Sequence, residues 1–400
     1  MERYDVVIVG AGIAGLSAAR TAREIDSSVS ILLVNEEDRL PYKRTKVSKH
    51  LAAGFKRDEF RLEPMEWYSA NRVGITHGRR AVRINRDDKR LALDDGAELE
   101  YKKLILAVGS EPLYPRAVRE HERGSFHRLR TAADAETLRK AAGNVGSVVI
   151  VGMGVLSVEL AEQFRKMKKS VTLIGATAQL LPRRLNLRAS ELMEELLRKN
   201  KVDLSFHEEV LSFEPDGKGK TLVTMIKKSG RFDMVVFCIG VAPRIALARE
   251  AGIDVSTGVI VDEYLTTSDR DILAAGDCAQ HPGGHVSYLW HAAEHQGHVA
   301  GANAVGRATK FLNPPFRMKC EVFGTQFLSV DQTWPGDRAE ALTVREAEAG
   351  GKYVAGNFSD GRLVSVVAVN DTDRSALYQS AVRERWPEAR CTEELLSPIR

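Results

Sequence analysis

The stretch Tyr4–Gly15, YDVVIVGAGIAG, constrains this chain more than any other. Its apolar run Val6–Val9 reads as a strand buried on both faces, and Gly10, Gly12 and Gly15 follow at G-x-G-x-x-G spacing ahead of a helix-forming run, LSAARTARE. The first glycine permits a tight turn, the second lets a pyrophosphate approach the backbone, and the third lets helix and strand pack closely. The helix N-terminus then offers free N–H groups and a positive dipole end to phosphates. Glycines also punctuate ordinary turns, but here the strand before and the helix after supply the context that a dinucleotide fingerprint demands. A second strand, Val29–Val34, leads to Glu36, where an acidic side chain meets a ribose hydroxyl in such units.

The opening pattern returns at 148. VVIVGMGVLSVELAEQF gives a strand, Gly152 and Gly154, then a helix, with Ser157 in the third glycine's place, and VTLI (171–174) completes a second βαβ unit. A chain with two such units either holds two dinucleotides or carries a duplicate that has lost its ligand; the survival of both phosphate turns favours the first. The second unit lacks a carboxylate after its second strand. Gly175 stands there, and the nearest arginines, Arg183 and Arg184, lie downstream. The choice between NADH and NADPH therefore stays open, with a lean to NADH.

Between and after these units the pattern is mixed. Residues 79–106 read as a β-meander with a turn at Asp95-Gly96, and Met65–Asn71 as an amphipathic stretch. A helix is expected at Ser190–Lys199, strands near 202–226, and apolar strands at MVVFCIG (234–240), Val259–Val261 and ILAAGDCAQ (272–280). The last delivers Asp277 to a loop, where its carboxylate suits a polyol such as a ribityl chain or, alternatively, caps the next segment. WHAAEHQGHVAGANAVG (290–306) reads as a helix with small residues on one face. After Asn313-Pro314-Pro315 the composition shifts to short strands near 321–330, 341–344, 352–358 and 363–369, a turn at Asp360-Gly361, and a helix near 373–385.

With 400 residues, 44% hydrophobic, the chain is long enough for two or three domains with substantial cores. No run approaches the ~20 apolar residues of a membrane span, and the N-terminus lacks a signal-peptide layout, so a cytoplasmic protein is expected. A net charge of +4 is far from that of a nucleic-acid binder. The clusters RKMKK (165–169) and RR (79–80) read as solvated faces, or as docking points for an acidic partner. Cys238, Cys278, Cys320 and Cys391 are widely spaced and suggest neither disulfides nor zinc. His281, His285, His291, His295 and His298 lie close together, but no further ligands complete a metal set. Trp334 reads as a core or domain-interface residue.

Taken together, these segments resemble the FAD- and NAD(P)H-dependent pyridine nucleotide-disulfide oxidoreductases, and within them the rubredoxin and ferredoxin reductases. The resemblance rests on the two phosphate turns, LILAVGS (104–110), LRTAADAETLR (129–139), IGVAPR (239–244), ILAAGDCAQ, and the W-x-x-A-x-x-Q-G of Trp290–Gly297. It is good over residues 4–310 and looser beyond. It implies an α/β fold of two Rossmann-like domains, the second inserted in the first, with a small α+β C-terminal domain. Residues 1–111 and 239–313 would bind FAD, 112–238 would bind NAD(P)H, and 314–400 would form the last domain.

The stretch PYKRTKVSKH (41–50) resembles the ferredoxin reductases' arginine, two prolines and Leu-Ser-Lys, but both prolines are missing here. Relatives that work through sulfur place a redox cysteine near Lys49 or a cysteine pair on the helix; neither is present. By this resemblance Lys49 reaches the flavin's reactive edge and Glu159 pairs with it. Gly10, Gly12, Ala14 and Gly15 hold the pyrophosphate and Glu36 the ribose, while Arg44, Ala107, Gly109 and Arg130 lie along FAD. Val82 presents its backbone to adenine, Asp277 takes the ribityl chain, and Trp290 lies by the flavin ring. Gly152, Gly154 and Glu159 belong to the nicotinamide side, and Gly240 to the crossing between domains. The implied activity is hydride transfer from NAD(P)H to FAD, then release of electrons to a small acidic carrier, a rubredoxin or ferredoxin. The rival expectations are an NAD(P)H oxidase, a reductase subunit of a nitrite-reductase-type assembly, or a flavin-binding redox sensor without turnover.

Overall fold

Val6–Val9 carries no polar side chain, which suits a strand covered on both faces. In the computed structural model, which describes residues 1–56, 58–118, 126–217, 219–331 and 342–399, it ends the strand Glu2–Val9 at the centre of a seven-stranded sheet. Ile31–Val34 and Glu98–Leu106 flank it in parallel, in register at Val9↔Val34 and Val9↔Leu106. Val73–Ile75 extends one side, and Ile272–Ala274 pairs in parallel with the C-terminal part of Glu98–Leu106. The N-terminal part of that long strand turns antiparallel to Arg90–Leu93, which pairs with Ala81–Asn85, so the expected meander is present. This first compact unit comprises residues 1–45, 56–111 and 241–313.

Two helices close over this sheet, Ile13–Ile25 and Trp290–Ala304. They meet backbone to backbone. A β-carbon on Gly297 would lie 2.2 Å from the Ala14 carbonyl oxygen, and one on Gly301 2.3 Å from that of Ala18. The small-residue face read from 290–306 is therefore what allows the second helix to approach.

The second unit, residues 46–55, 112–240 and 314–400, repeats the theme. Val202–Ser205, Ser170–Ile174, Ser147–Val151, Met234–Phe237 and His127–Arg128 form a five-stranded parallel sheet in that order. Val155–Lys166 is its first crossover helix. Thr131 starts Ala132–Ala142 with a capping box to Asp134. Asn186 caps Leu187–Lys199, one turn earlier than the sequence pattern suggests. A three-stranded antiparallel sheet spans Val210–Pro215, Thr221–Met225 and Ser229–Phe232. The second βαβ unit thus lies within a chain that begins and ends the first, and the fold class expected from the motifs is the one observed.

The C-terminal residues form a five-stranded antiparallel sheet covered by the helix Ser375–Arg383. Expected as one strand near 321–330, the first segment is two, Phe316–Val322 and Thr325–Asp331. They are joined by a tight turn in which Phe323 and Gly324 both have positive φ. Asparagine or aspartate normally announces such a turn, and phenylalanine does not. The turn at Asp360-Gly361 has the same left-handed pair and was legible. Polar clasps explain why these residues cluster with the second unit. Asn186 Nδ2 donates to the Tyr353 hydroxyl at 2.6 Å, and Arg188 grips Glu348 at 2.8 and 2.9 Å. Trp334 lies outside the described residues. Among the described residues no helix is long and apolar enough to cross a membrane.

Alanine normally beats glycine in a helix interior by about 1 kcal/mol. Gly301→Ala is expected to reverse that sign and destabilise the chain by about 1–3 kcal/mol, because the added methyl meets a backbone carbonyl rather than a side chain that can swing away. Denaturant unfolding of the two proteins checks it; a more stable variant would contradict the close crossing.

Candidate functional site

Gly10 has φ of +105°, and a β-carbon on it would sit 2.2 Å from the Ala107 carbonyl oxygen. A β-carbon on Gly15 would lie 1.9 Å from the Gly10 oxygen. These two glycines bring strand, turn and helix together. Gly12 differs: a β-carbon there would meet nothing within 4 Å. It caps the helix Ile13–Ile25 without a side chain, and no acidic residue stands in the first turn. A cradle with open space, an uncapped helix N-terminus and no competing carboxylate fits the pyrophosphate of FAD.

Beyond the turn lies a small hollow, lined among others by Ala11, Asn35, Glu37, Tyr42 and Arg44. Glu37 accepts a hydrogen bond from the Tyr42 hydroxyl at 2.9 Å and forms an ion pair with Arg44. Glu36, the expected ribose ligand, is not among the residues lining this hollow. It is half-exposed and pairs with Arg244 at 2.8 Å. Neighbouring side chains diverge as the chain leaves a strand, so a displacement of one residue changes which carboxylate faces the hollow. Glu37, which the sequence reading did not single out, is the acid that lines this hollow; the adjacent acids of NEED were the only signal for it.

Val82 falls at a register shift in the strand Ala81–Asn85, between the pairs Ala81↔Leu93 and Arg83↔Ala92. Val82 is thus the extra residue of a bulge, which bends the strand locally. Ala107 follows Glu98–Leu106, Gly109 has φ of +72°, and the next residue, Ser110, donates to the Asp277 carboxylate at 2.8 Å. Asp277 follows Gly276, whose N–H is held by Gln296 Oε1 at 2.6 Å. Trp290 begins the long second helix. The structure therefore gathers Gly10, Gly12, Ala14, Gly15, Arg44, Ala107, Gly109 and Asp277 around the C-terminal ends of the parallel strands, where α/β sheets bind ligands.

In the second unit Gly152 repeats Gly10. Its φ is +135°, and a β-carbon would lie 2.2 Å from the Cys238 carbonyl oxygen. Gly154 repeats Gly12, with nothing within 4 Å of an added β-carbon. Arg130 precedes the capping box, its N–H donating to Asp134 Oδ2 at 3.0 Å, and the Gly240 carbonyl accepts from Leu113 N at 3.0 Å.

Glu159, buried on the helix Val155–Lys166, is the focus of a polar cluster. Lys49 Nζ lies 3.4 Å from one carboxylate oxygen, and the Ser48 hydroxyl donates to the other. Burial pushes the Glu159 carboxyl above its usual range, while Lys49 and Ser48 pull it back. Four residues on, Gln163 accepts from Ala52 N at 3.2 Å. The loop lacks the two prolines, and these three contacts fasten it to the helix instead. Ser48 and Gln163 were not expected to take part; the Ser-Lys pair was the available sign for Ser48.

All four cysteines are buried and unbridged. Burial pushes the thiols of Cys278 and Cys391 up to about 11 and that of Cys238 up to about 12; Cys320 is also raised well above its ordinary value by burial. A buried protonated thiol is a poor nucleophile. The histidines have other tasks. His281 stacks on Phe311 with ring centroids 4.5 Å apart, and burial lowers it to about 4. His298 bonds Thr21, and His291 approaches Glu294. The RKMKK run is similarly occupied. Arg165 and Lys169 bind backbone carbonyls, and Lys166 pairs with Glu162 at 2.9 Å. Arg165 and Lys169 therefore fasten the helix end, while Lys166 and Lys168 are exposed.

The sequence matches the family described as Pyridine nucleotide-disulphide oxidoreductase over residues 4–297. The chain belongs to this family. As a pyridine nucleotide-disulphide oxidoreductase it is an FAD-dependent NAD(P)H oxidoreductase, close to the rubredoxin and ferredoxin reductases. It is 35% identical over 281 residues to rhodocoxin reductase of Rhodococcus erythropolis, a match covering 70% of this chain and 65% of the relative. It is 32% identical over 387 residues to the anthranilate 1,2-dioxygenase system ferredoxin–NAD(+) reductase component of Burkholderia cepacia, covering 92% of each. A solved structure, the covalent putidaredoxin reductase–putidaredoxin complex, superposes with a TM-score of 0.85 at 26% identity, covering 97% of this chain and 94% of that one.

The hollow makes a direct prediction. Glu37→Gln is expected to weaken FAD binding by about tenfold or more, the scale of a charge-assisted hydrogen bond, and Glu36→Gln by no more than about twofold. Fluorescence titration of each apoprotein with FAD checks the ordering; the reverse ordering would return the ribose to Glu36.

Proposed function

We propose that this oxidoreductase takes a hydride from NADH, with NADPH a weaker substrate, and passes electrons through FAD one at a time to a small iron-sulfur or rubredoxin-type carrier. The observation that carries the reading is Lys49, an ammonium fastened to buried Glu159 at the chain position where sulfur-based relatives place a redox cysteine. When bound, FAD supplies the bridge between two-electron and one-electron chemistry. The protein's own residues bind and orient. Gly10, Gly12 and Gly15 shape the pyrophosphate turn, Glu37 and Arg44 hold the ribose side, and Ser110 sets the Asp277 carboxylate for the ribityl chain. Glu159 keeps the Lys49 ammonium in place, and Ser48 fixes the carboxylate that does so. A fixed positive charge favours a transition state in which negative charge arrives at the ring.

Residues 1–111 and 239–313 act as the FAD domain in this reading, 112–238 as the nicotinamide domain and 314–400 as the third. The relatives named for ferredoxin–NAD(+) reduction and for the putidaredoxin complex support a one-electron carrier as acceptor. The cytoplasmic setting is part of the same proposal.

Lys49→Ala is expected to retain FAD yet slow anaerobic flavin reduction by NADH by about 10²-fold, in the range of a removed electrostatic donor. Stopped-flow bleaching of the flavin absorbance measures it. An unchanged rate would remove Lys49 from the mechanism.

A further inference from the structure

The two adjacent acids that follow the strand Ile31–Val34 each hold an arginine, and they hold them differently. Arg44, paired with Glu37, also lies over the Tyr42 ring, 5.4 Å from its centroid, so its place is fixed by packing. Arg244, paired with Glu36 at 2.8 Å, keeps 40% of its side chain exposed. Among the described residues Glu36 is the one group that its guanidinium bonds, through Nη1. A guanidinium carries five N–H donors in a planar fork, so most of them stay unused.

The place of this pair matters more than its strength. Val34, Val9 and Leu106 stand in one row across three parallel strands. Glu36 lies two residues beyond the first strand. Arg244 is pinned beyond the third, where its N–H donates to the Gly109 carbonyl at 2.9 Å behind buried Pro243. The outer strands of such a row are about 10 Å apart. Two extended side chains meeting midway close that gap. Between them is the exit of the middle strand, the turn Gly10–Gly12, held by Gly10 N to the Val34 carbonyl at 2.9 Å and by Ala107 N to the Val9 carbonyl at 2.8 Å. Residues 10–19 carry no charged side chain, so the turn and its helix bring only backbone to an anion.

We propose that Arg244 is a binding residue for the FAD pyrophosphate: its guanidinium closes over the diphosphate on the Gly10–Gly12 turn, and Glu36 keeps the side chain aimed across that turn. The inference rests on the functional reading above, in which FAD occupies this turn, and deepens it. The planar fork matches a pair of phosphate oxygens, and it is less strongly hydrated than an ammonium. An exposed ion pair holds its partners weakly, so little is lost when Arg244 turns from Glu36 to a phosphate. Glu36 then serves FAD by orienting an arginine and not by the ribose contact expected of it.

Fluorescence titration of apoprotein variants with FAD tests this. Arg244→Gln is expected to weaken binding by about tenfold or more, the loss of a charge-assisted contact, and Glu36→Gln to stay within about twofold. The double variant, Arg244→Gln with Glu36→Gln, should be as weak as Arg244→Gln alone. Recovery of wild-type affinity in the double variant would overturn the proposal, because Arg244 would then only neutralise Glu36. Equal losses in the two single variants would overturn it too, since the bridge itself would be fastening the strand ends. So would an unchanged Arg244→Gln. If Arg244→Gln lowers the melting temperature of the apoprotein, Arg244→Lys decides instead. It keeps the charge and loses the paired donors, so a loss of about threefold or more is expected, and wild-type affinity would contradict the proposal. A wild-type apoprotein that binds no FAD would sink the functional reading itself.

Discussion

Carbonyl oxygens stand where side chains would begin, and much of this architecture depends on that. At Gly10 and again at Gly152, the space a β-carbon would take lies 2.2 Å from the carbonyl oxygen of the neighbouring strand's exit, Ala107 in one unit and Cys238 in the other. Backbone that close lets a strand end, a turn and a helix N-terminus converge without side chains between them. The open side of Gly12 and Gly154 leaves room for a phosphate. Packing that fixes the fold therefore also creates the site. Gly297 and Gly301 extend the principle to the helix pair above the first sheet.

Electrostatics complete what the close packing begins. The Glu159 carboxyl is buried, which disfavours its charge, and an ammonium and a hydroxyl from one short loop offset part of that cost. A buried carboxylate with both oxygens engaged is a firm anchor, because releasing either partner leaves charge in a poorly solvated place. The same loop would need prolines to be stiff by itself; fastened at Ser48, Lys49 and Ala52, it does not. Meanwhile burial raises all four thiols above their ordinary value and favours their protonated form.

What the sequence made legible follows from where the physics is local. Both βαβ units, their glycine turns and the antiparallel C-terminal strands were readable because apolar runs, turn residues and helix starts act within a few positions. Asp360-Gly361 announced its turn, whereas Phe323 holds a left-handed conformation that its side chain does not advertise. Glu36 and Glu37 are adjacent, and only the path of the chain after the strand decides which faces the hollow. The Lys49–Glu159 pair joins distant segments, so nothing in local pattern could reveal it; resemblance to a family supplied the expectation.

The central claim is that two electrons pass from a nicotinamide to one flavin with no sulfur group taking part. Anaerobic titration of the FAD-loaded chain with NADH tests it most directly, with free thiols counted before and after. The account predicts complete bleaching of the flavin at one equivalent of NADH per FAD and an unchanged thiol count. A requirement for two equivalents with new thiols appearing, or a flavin that NADH leaves oxidised, would contradict it.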